Sequence, residues 1–164
     1  MMKYLLFIIC FYSQIVHAHT LFVCDGNTGR SFMAETIAQK FLYHDSISRG
    51  LSVKENSSIE EFALKVLAEW NLYQYHTANQ LLPEDIQNAD LILTMTSLQK
   101  DELIQTYPEY SNKIYSLSEC AEARDEDVPD AYGKPIGFYR TVRDQIFYHL
   151  DIISTRGWQC LPRK

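Results

Sequence analysis

A chain of 164 residues with a formal charge of −6 has room for one packed core and no basic face with which to hold a nucleic acid. Its apolar fraction of 46% is that of an ordinary globular domain, with no repeated or low-complexity segment. Any anionic ligand would have to be captured at one local point.

The first eighteen residues differ in kind from the rest. Met1-Met-Lys3 is a basic start, Tyr4 to Tyr12 is a continuous apolar run, and Val16-His17-Ala18 has the small-x-small pattern of a signal peptidase site. The stretch from Tyr4 to Val16 is interrupted by Ser13 and Gln14 and is too short to span a bilayer comfortably. Residues 1–18 are thus expected to be a cleaved export signal and 19–164 the mature domain, periplasmic or secreted, with no stable membrane insertion. The other reading is a cytoplasmic protein that keeps an N-terminal extension.

His19 to Val23 reads as a first strand, and Cys24-Asp-Gly-Asn-Thr-Gly-Arg30-Ser31 follows it at once. A helical stretch begins after that loop. Strand, glycine-bearing loop and helix N-terminus together form an anion cradle, because loop N–H groups and the positive end of the helix dipole converge. The same field favours a thiolate, so Cys24 is a candidate nucleophile. Arg30 can offer two parallel N–H bonds to phosphate oxygens. The implied chemistry is phosphoryl transfer to sulfur. A buried cysteine after a strand is more often inert packing, and here the glycines, Asn27 and Ser31 around it favour the functional reading. Asp25 is a complication: a carboxylate turned inward would repel phosphate, so it is expected to face the loop's rim.

Further along, a helix is expected from about Ser31 to Leu42, with Ala34, Ile37, Ala38 and Phe41 on its inner face. A short strand at Ser46–Ser48 follows. Ser58 with Glu61 reads as a capping box for a helix whose core stripe is Ile59, Phe62, Ala63, Val66, Leu67 and Trp70. Leu91–Leu93 and Lys113–Leu117 read as buried strands, and Phe138, Val142, Ile146, Leu150 and Ile153 line a long final helix. Strands alternating with helices imply an α/β fold with a parallel sheet, whose ligands bind at the carboxyl ends of strands, where Cys24 falls. No Cys/His cluster has zinc spacing, so neither metal nor cofactor is expected. Cys120 and Cys160 could pair and tether the tail.

The loop resembles that of the low-molecular-weight protein tyrosine phosphatases, Cys-x-Gly-Asn-x-Cys-Arg-Ser-Pro, with Cys24, Gly26, Asn27, Arg30 and Ser31 in register. Gly29 stands where the family commonly has a second cysteine, a change consistent with export because a neighbouring thiol would trap the nucleophile in an oxidising compartment. Phe32 stands where the family has proline. Ser48-Arg49-Gly50, His76-Thr-Ala-Asn-Gln80, Ala89 to Met95 and Asp127 to Gly133 are similar to later family segments, in order.

The resemblance implies a three-layer αβα fold with a central four-stranded parallel sheet of flavodoxin-like topology, and hydrolysis of protein phosphotyrosine through a phosphocysteine. It assigns Cys24, Arg30 and Asp130 as nucleophile, phosphate clamp and general acid, and residues 25–29 (Asp25, Gly26, Asn27, Thr28, Gly29) as the phosphate-binding loop. Ser31 would support the thiolate and His76 would orient Ser31. By composition alone Asp130 is a solvated acid in an acidic run; Asp127 is the runner-up for the role, and Ala131 replaces the family's proline after the acid.

Tyr132 supplies one aromatic wall for a phosphotyrosine ring, but no aromatic occurs between Gly50 and Phe62 for the other. Thr28 leans toward the family's arginine phosphatases. Phosphotyrosine is the primary expectation and phosphoarginine the enzymatic alternative. A non-catalytic phosphate-binding module ranks behind these. An arsenate reductase is least favoured, since Thr94–Ile104 holds no resolving cysteine. The partner is a phosphorylated protein or small phosphomonoester, and a monomer is expected.

Overall fold

The computed structural model describes residues 19–122 and 126–161, so the expected export signal and Cys10 lie outside the described residues. Four strands, β1 (Thr20–Cys24), β2 (Ser46–Gly50), β3 (Leu91–Thr94) and β4 (Ile114–Ser116), form one parallel sheet in the order β2-β1-β3-β4. The helices are α1 (Arg30–Lys40), α2 (Glu61–Ala68), α3 (Pro83–Asn88), α4 (Ser97–Thr106), α5 (Leu117–Glu122) and α6 (Ile136–Thr155). Among the described residues no helix is long and apolar enough to cross a membrane.

The period of two along β1 sorts its side chains into two cores. Phe22 packs with α1, α2 and α6 through Met33, Ile37, Val66, Val142 and Ile146. Leu21 and Val23 face the opposite layer, with Ile86 of α3 and Leu103 of α4. This is the expected three-layer arrangement. It leaves β1 central and delivers Cys24 to its carboxyl end, in register with Gly50 of β2.

Several local expectations are corrected. The Ser58 capping box does not form: α2 starts at Glu61 with Glu60 at its N-cap. The Glu60 N–H donates to the Thr28 carbonyl (3.0 Å), and its carboxylate is taken by Thr28 and Tyr139, so tertiary contacts set the helix start. Phe41 lies just past α1 and is half-exposed, packed edge-on against Phe147. Strand β2 runs two residues further than Ser48, to Gly50, while β4 is trimmed to three residues. Gly50 must be glycine, since a β-carbon there would lie 2.7 Å from the Asp25 carbonyl. Cys120 and Cys160 form a disulfide that ties the tail after α6 back to α5.

Candidate active site

Cys24 ends β1 with its side chain nearly closed off, and α1 begins six residues later at Arg30. Between them Asn27 adopts φ +54°, a left-handed conformation that asparagine tolerates better than most residues. That turn aims backbone donors inward: the Asn27 N–H lies 3.3 Å from Cys24 Sγ. Ser31 Oγ is 3.0 Å from the same sulfur. The Asn27 amide donates to Ser31 Oγ (2.9 Å) and to Ser48 Oγ (2.8 Å). The Ser31 oxygen accepts from Asn27, and its single proton can go to Sγ at 3.0 Å or to the more distant Arg49 carbonyl at 3.5 Å; directed at sulfur, it would stabilise a thiolate.

His76 reaches Ser31 through one intervening residue, Asn27. Its Nε2 sits 3.2 and 3.1 Å from the carbonyl and Oδ1 of Asn27, both acceptors, so this nitrogen carries the proton. Burial holds the imidazole below its usual pKa, which keeps it neutral for that role. Its ring stacks on Phe32, and the Asn79 N–H joins it at Asn27 Oδ1. His76 thus fixes Asn27, and Asn27 fixes Ser31. Beneath Asn27, Ser48 donates to Glu35, a carboxyl pushed up in pKa chiefly by burial and opposed by the Ser48 bond.

Arg30 is almost fully buried. Its Nη1 donates to the Val128 carbonyl (3.2 Å), and its Nη2 donates to Asp25 Oδ2 (2.9 Å) and lies 3.5 Å from Asp130 Oδ2. Asp25 is therefore not simply turned outward: its side chain is 60% exposed, yet its carboxylate caps Arg30. Asp130 and Tyr132 line the same cavity as Cys24, of about 460 Å³, while Asp127 is absent from it. Asp127 Oδ1 instead accepts the Ser97 N–H at 2.7 Å, at the start of α4. Ser52, Lys54, Asn56, Ser57 and Ser58 add polar residues to the lining of the same cavity.

Glu60 is the wall residue that the sequence did not single out. Thr28 Oγ1 donates to its Oε1 (2.9 Å) and the Tyr139 hydroxyl donates to its Oε2. Burial and this carboxylate push the Tyr139 phenol well above its usual pKa. A β-carbon on residue 29 would lie 2.6 Å from Glu60 Oε1, so Gly29 is what lets Glu60 lie against the loop. Gln99, Ser48 and Glu35 were missed as well. Each reaches the site only through the fold, although the Thr96–Gln99 capping box at the start of α4 was a readable local signal. Among the described residues no group of His, Cys, Asp and Glu is arranged to hold a metal.

Residues 19–153 match the family model of the low molecular weight phosphotyrosine protein phosphatases. The chain is 40% identical over 137 residues to the low molecular weight protein-tyrosine-phosphatase PtpB of Staphylococcus haemolyticus, covering 83% of this chain and 97% of that one. It is 35% identical to a protein-arginine-phosphatase of Geobacillus stearothermophilus, covering 83% and 93%. Among solved structures, the YwlE arginine phosphatase from Geobacillus stearothermophilus superposes with a TM-score of 0.79 at 33% identity, covering 85% and 92%. The low molecular weight protein tyrosine phosphatase from T. tengcongensis gives 0.79 at 34%, covering 85% and 99%. With these relatives, and a buried thiol in the matched region, the chain belongs to the low molecular weight phosphotyrosine protein phosphatase family and is a cysteine-dependent phosphatase.

Proposed function

We propose that this protein hydrolyses phosphotyrosine in proteins through a phosphocysteine formed on Cys24. The observation that carries this is the sulfur itself, at the end of β1 with Ser31 Oγ at 3.0 Å and the Asn27 N–H at 3.3 Å. Cys24 Sγ attacks phosphorus, the P–O bond to the tyrosyl oxygen breaks, and Asp130 gives that oxygen its proton. Water then attacks phosphorus with Asp130 taking its proton, the P–S bond breaks, and inorganic phosphate and the Cys24 thiolate are released with the Ser31 hydroxyl directed at the sulfur. Arg30 and the loop amides neutralise the charge on the phosphoryl oxygens. Steady hydrolysis of an aryl phosphate and of a phosphotyrosine peptide tests this. Binding without turnover would point to a non-catalytic module, and among the described residues arsenate reduction has no resolving thiol, because Cys120 and Cys160 are paired.

Phosphoarginine is the second reading, and the Thr28–Glu60 contact favours it together with the arginine-phosphatase relatives. A phosphorylated guanidinium carries positive charge beside the phosphoryl group, and Glu60 and Asp130 offer carboxylates in the cavity where a tyrosine slot would want a second aromatic. If phosphoarginine is the substrate, Glu60→Gln should lower kcat/KM for a phosphoarginine peptide about tenfold or more, on the scale of losing one charged partner. It should leave a phosphotyrosine peptide nearly unaffected. Equal losses on both would make Glu60 a loop support only.

Export is part of the same reading. The Cys120–Cys160 disulfide suits an oxidising compartment. The His19 backbone nitrogen donates to Asp90 Oδ2 at 2.8 Å, so cleavage after Ala18 would put an α-ammonium beside a carboxylate. N-terminal sequencing of protein recovered from outside the cytoplasm should begin at His19. A cytoplasmic chain that retains Met1 would refute export, and with it the redox rationale for Gly29.

A further inference from the structure

We propose that Asp25 is an internal rival of the substrate phosphate for Arg30, and that it sets how tightly the cradle holds phosphate. The inference rests on the reading of Arg30 as the phosphate clamp. The guanidinium is buried, and Asp25 Oδ2 accepts from its Nη2 at 2.9 Å. A second donor fixes the same oxygen: Gln99 Nε2 lies 2.9 Å away.

Gln99 is itself immobilised. It is only 3% exposed, its Oε1 accepts the Met95 and Thr96 N–H groups at 3.1 Å each, and its own N–H donates to Thr96 Oγ1. The Asp25 backbone is anchored too, since its carbonyl accepts the Ser52 N–H at 2.9 Å. The carboxylate is therefore held on Arg30 from two directions, with Asp130 Oδ2 at 3.5 Å from the same Nη2.

An arriving phosphate meets a cation that is already neutralised. To be clamped, it must displace Asp25 from Nη2 and approach a second negative charge. The displacement is feasible because the Asp25 side chain is 60% exposed and can turn into water. The same rivalry acts in reverse after hydrolysis: as inorganic phosphate loosens, Asp25 returns to Arg30. The expected consequence is weak product inhibition, with Asp25 acting on the affinity for phosphate and leaving the chemical steps to Cys24 and Asp130.

The test is the inhibition constant of inorganic phosphate against aryl phosphate hydrolysis, for the mature wild-type chain and for Asp25→Asn and Asp25→Ala. Both variants should bind phosphate about three- to tenfold more tightly, the scale of a partly exposed ion pair plus one removed like charge. KM for the aryl phosphate should fall in step, while kcat changes less than about twofold. Weaker phosphate binding with a large loss of kcat would overturn the proposal and make Asp25 a residue that positions Arg30. An unchanged inhibition constant in both variants would overturn it as well. A wild-type chain that hydrolyses no aryl phosphate would instead bring down the phosphatase mechanism on which the inference stands.

Discussion

Replacing Cys24 with serine should remove turnover while leaving phosphate binding in place. A serine hydroxyl is un-ionised at neutral pH, so it is a far weaker nucleophile than a thiolate, and any phosphoserine formed would release its oxygen far less readily than a phosphocysteine releases sulfur. Loss of a nucleophile that acts as one unit with its neighbours costs about four orders of magnitude or more in kcat. Binding depends on other atoms: the loop N–H groups, the start of α1 and Arg30, none of which the substitution moves. Serine also keeps a polar atom within reach of the Ser31 hydroxyl and the Asn27 N–H, so no buried donor is orphaned. Titration calorimetry with inorganic phosphate and stopped-flow release of phenol would separate the two effects. If Cys24→Ser kept more than about a tenth of wild-type kcat, a loss far below the nucleophile scale, the covalent mechanism on this residue would be wrong. Arg30→Lys should behave differently, losing binding and rate together, because a lysine keeps the charge and loses the planar fork.

The strand, turn and helix around Cys24 were legible in the sequence because their signals are local. Cys24, Asn27, Arg30 and Ser31 fall within one strand-turn-helix, and the backbone that joins them also aims them. The buried strands were legible for a similar reason, as continuous apolar runs. The rest of the site depends on distant partners. Glu60 reaches the loop because Tyr139, seventy-nine positions later, holds its carboxylate. That contact and the Thr28 bond overrode a plausible capping pattern at Ser58. His76 was named from its segment, but that its link to Ser31 runs through Asn27 depends on packing forty-nine positions away in sequence, which no local pattern encodes. The orientation of Asp25 likewise turned on Gln99, seventy-four positions away. Short helices such as α3 and α5 carry too few turns for periodicity to register.

The second large effect concerns the acid. Asp130→Asn should slow hydrolysis of a phosphotyrosine peptide about a hundredfold or more, the usual scale for general acid–base catalysis. Asp130 is suited to the task by where its neighbours are fixed. Val128 and Ala131 are buried on either side of it, the Val128 N–H bonds the Met95 carbonyl at 2.9 Å, and the Tyr132 N–H holds Asp130 Oδ1 at 3.1 Å. The loop is thus anchored without the family's proline at Ala131, and the carboxylate, 62% exposed, faces the cavity beside Arg30. An activated aryl phosphate, whose leaving group scarcely needs a proton, should lose less in the first step. Breakdown of the phosphocysteine still needs the carboxylate as base, so steady-state rates can fall for both substrates. Burst kinetics give the cleaner measurement: with the activated substrate the variant should release one equivalent of phenol quickly and then stall. Asp127→Asn should leave both phases intact. Its Oδ1 accepts the Ser97 N–H at the start of α4, and an asparagine oxygen can accept the same bond, so the change should cost less than about 1 kcal/mol of stability in a denaturant titration. If Asp127→Asn abolished the slow phase and Asp130→Asn did not, the acid would lie three positions earlier in the loop, and the Arg30–Asp130 proximity would have no catalytic meaning.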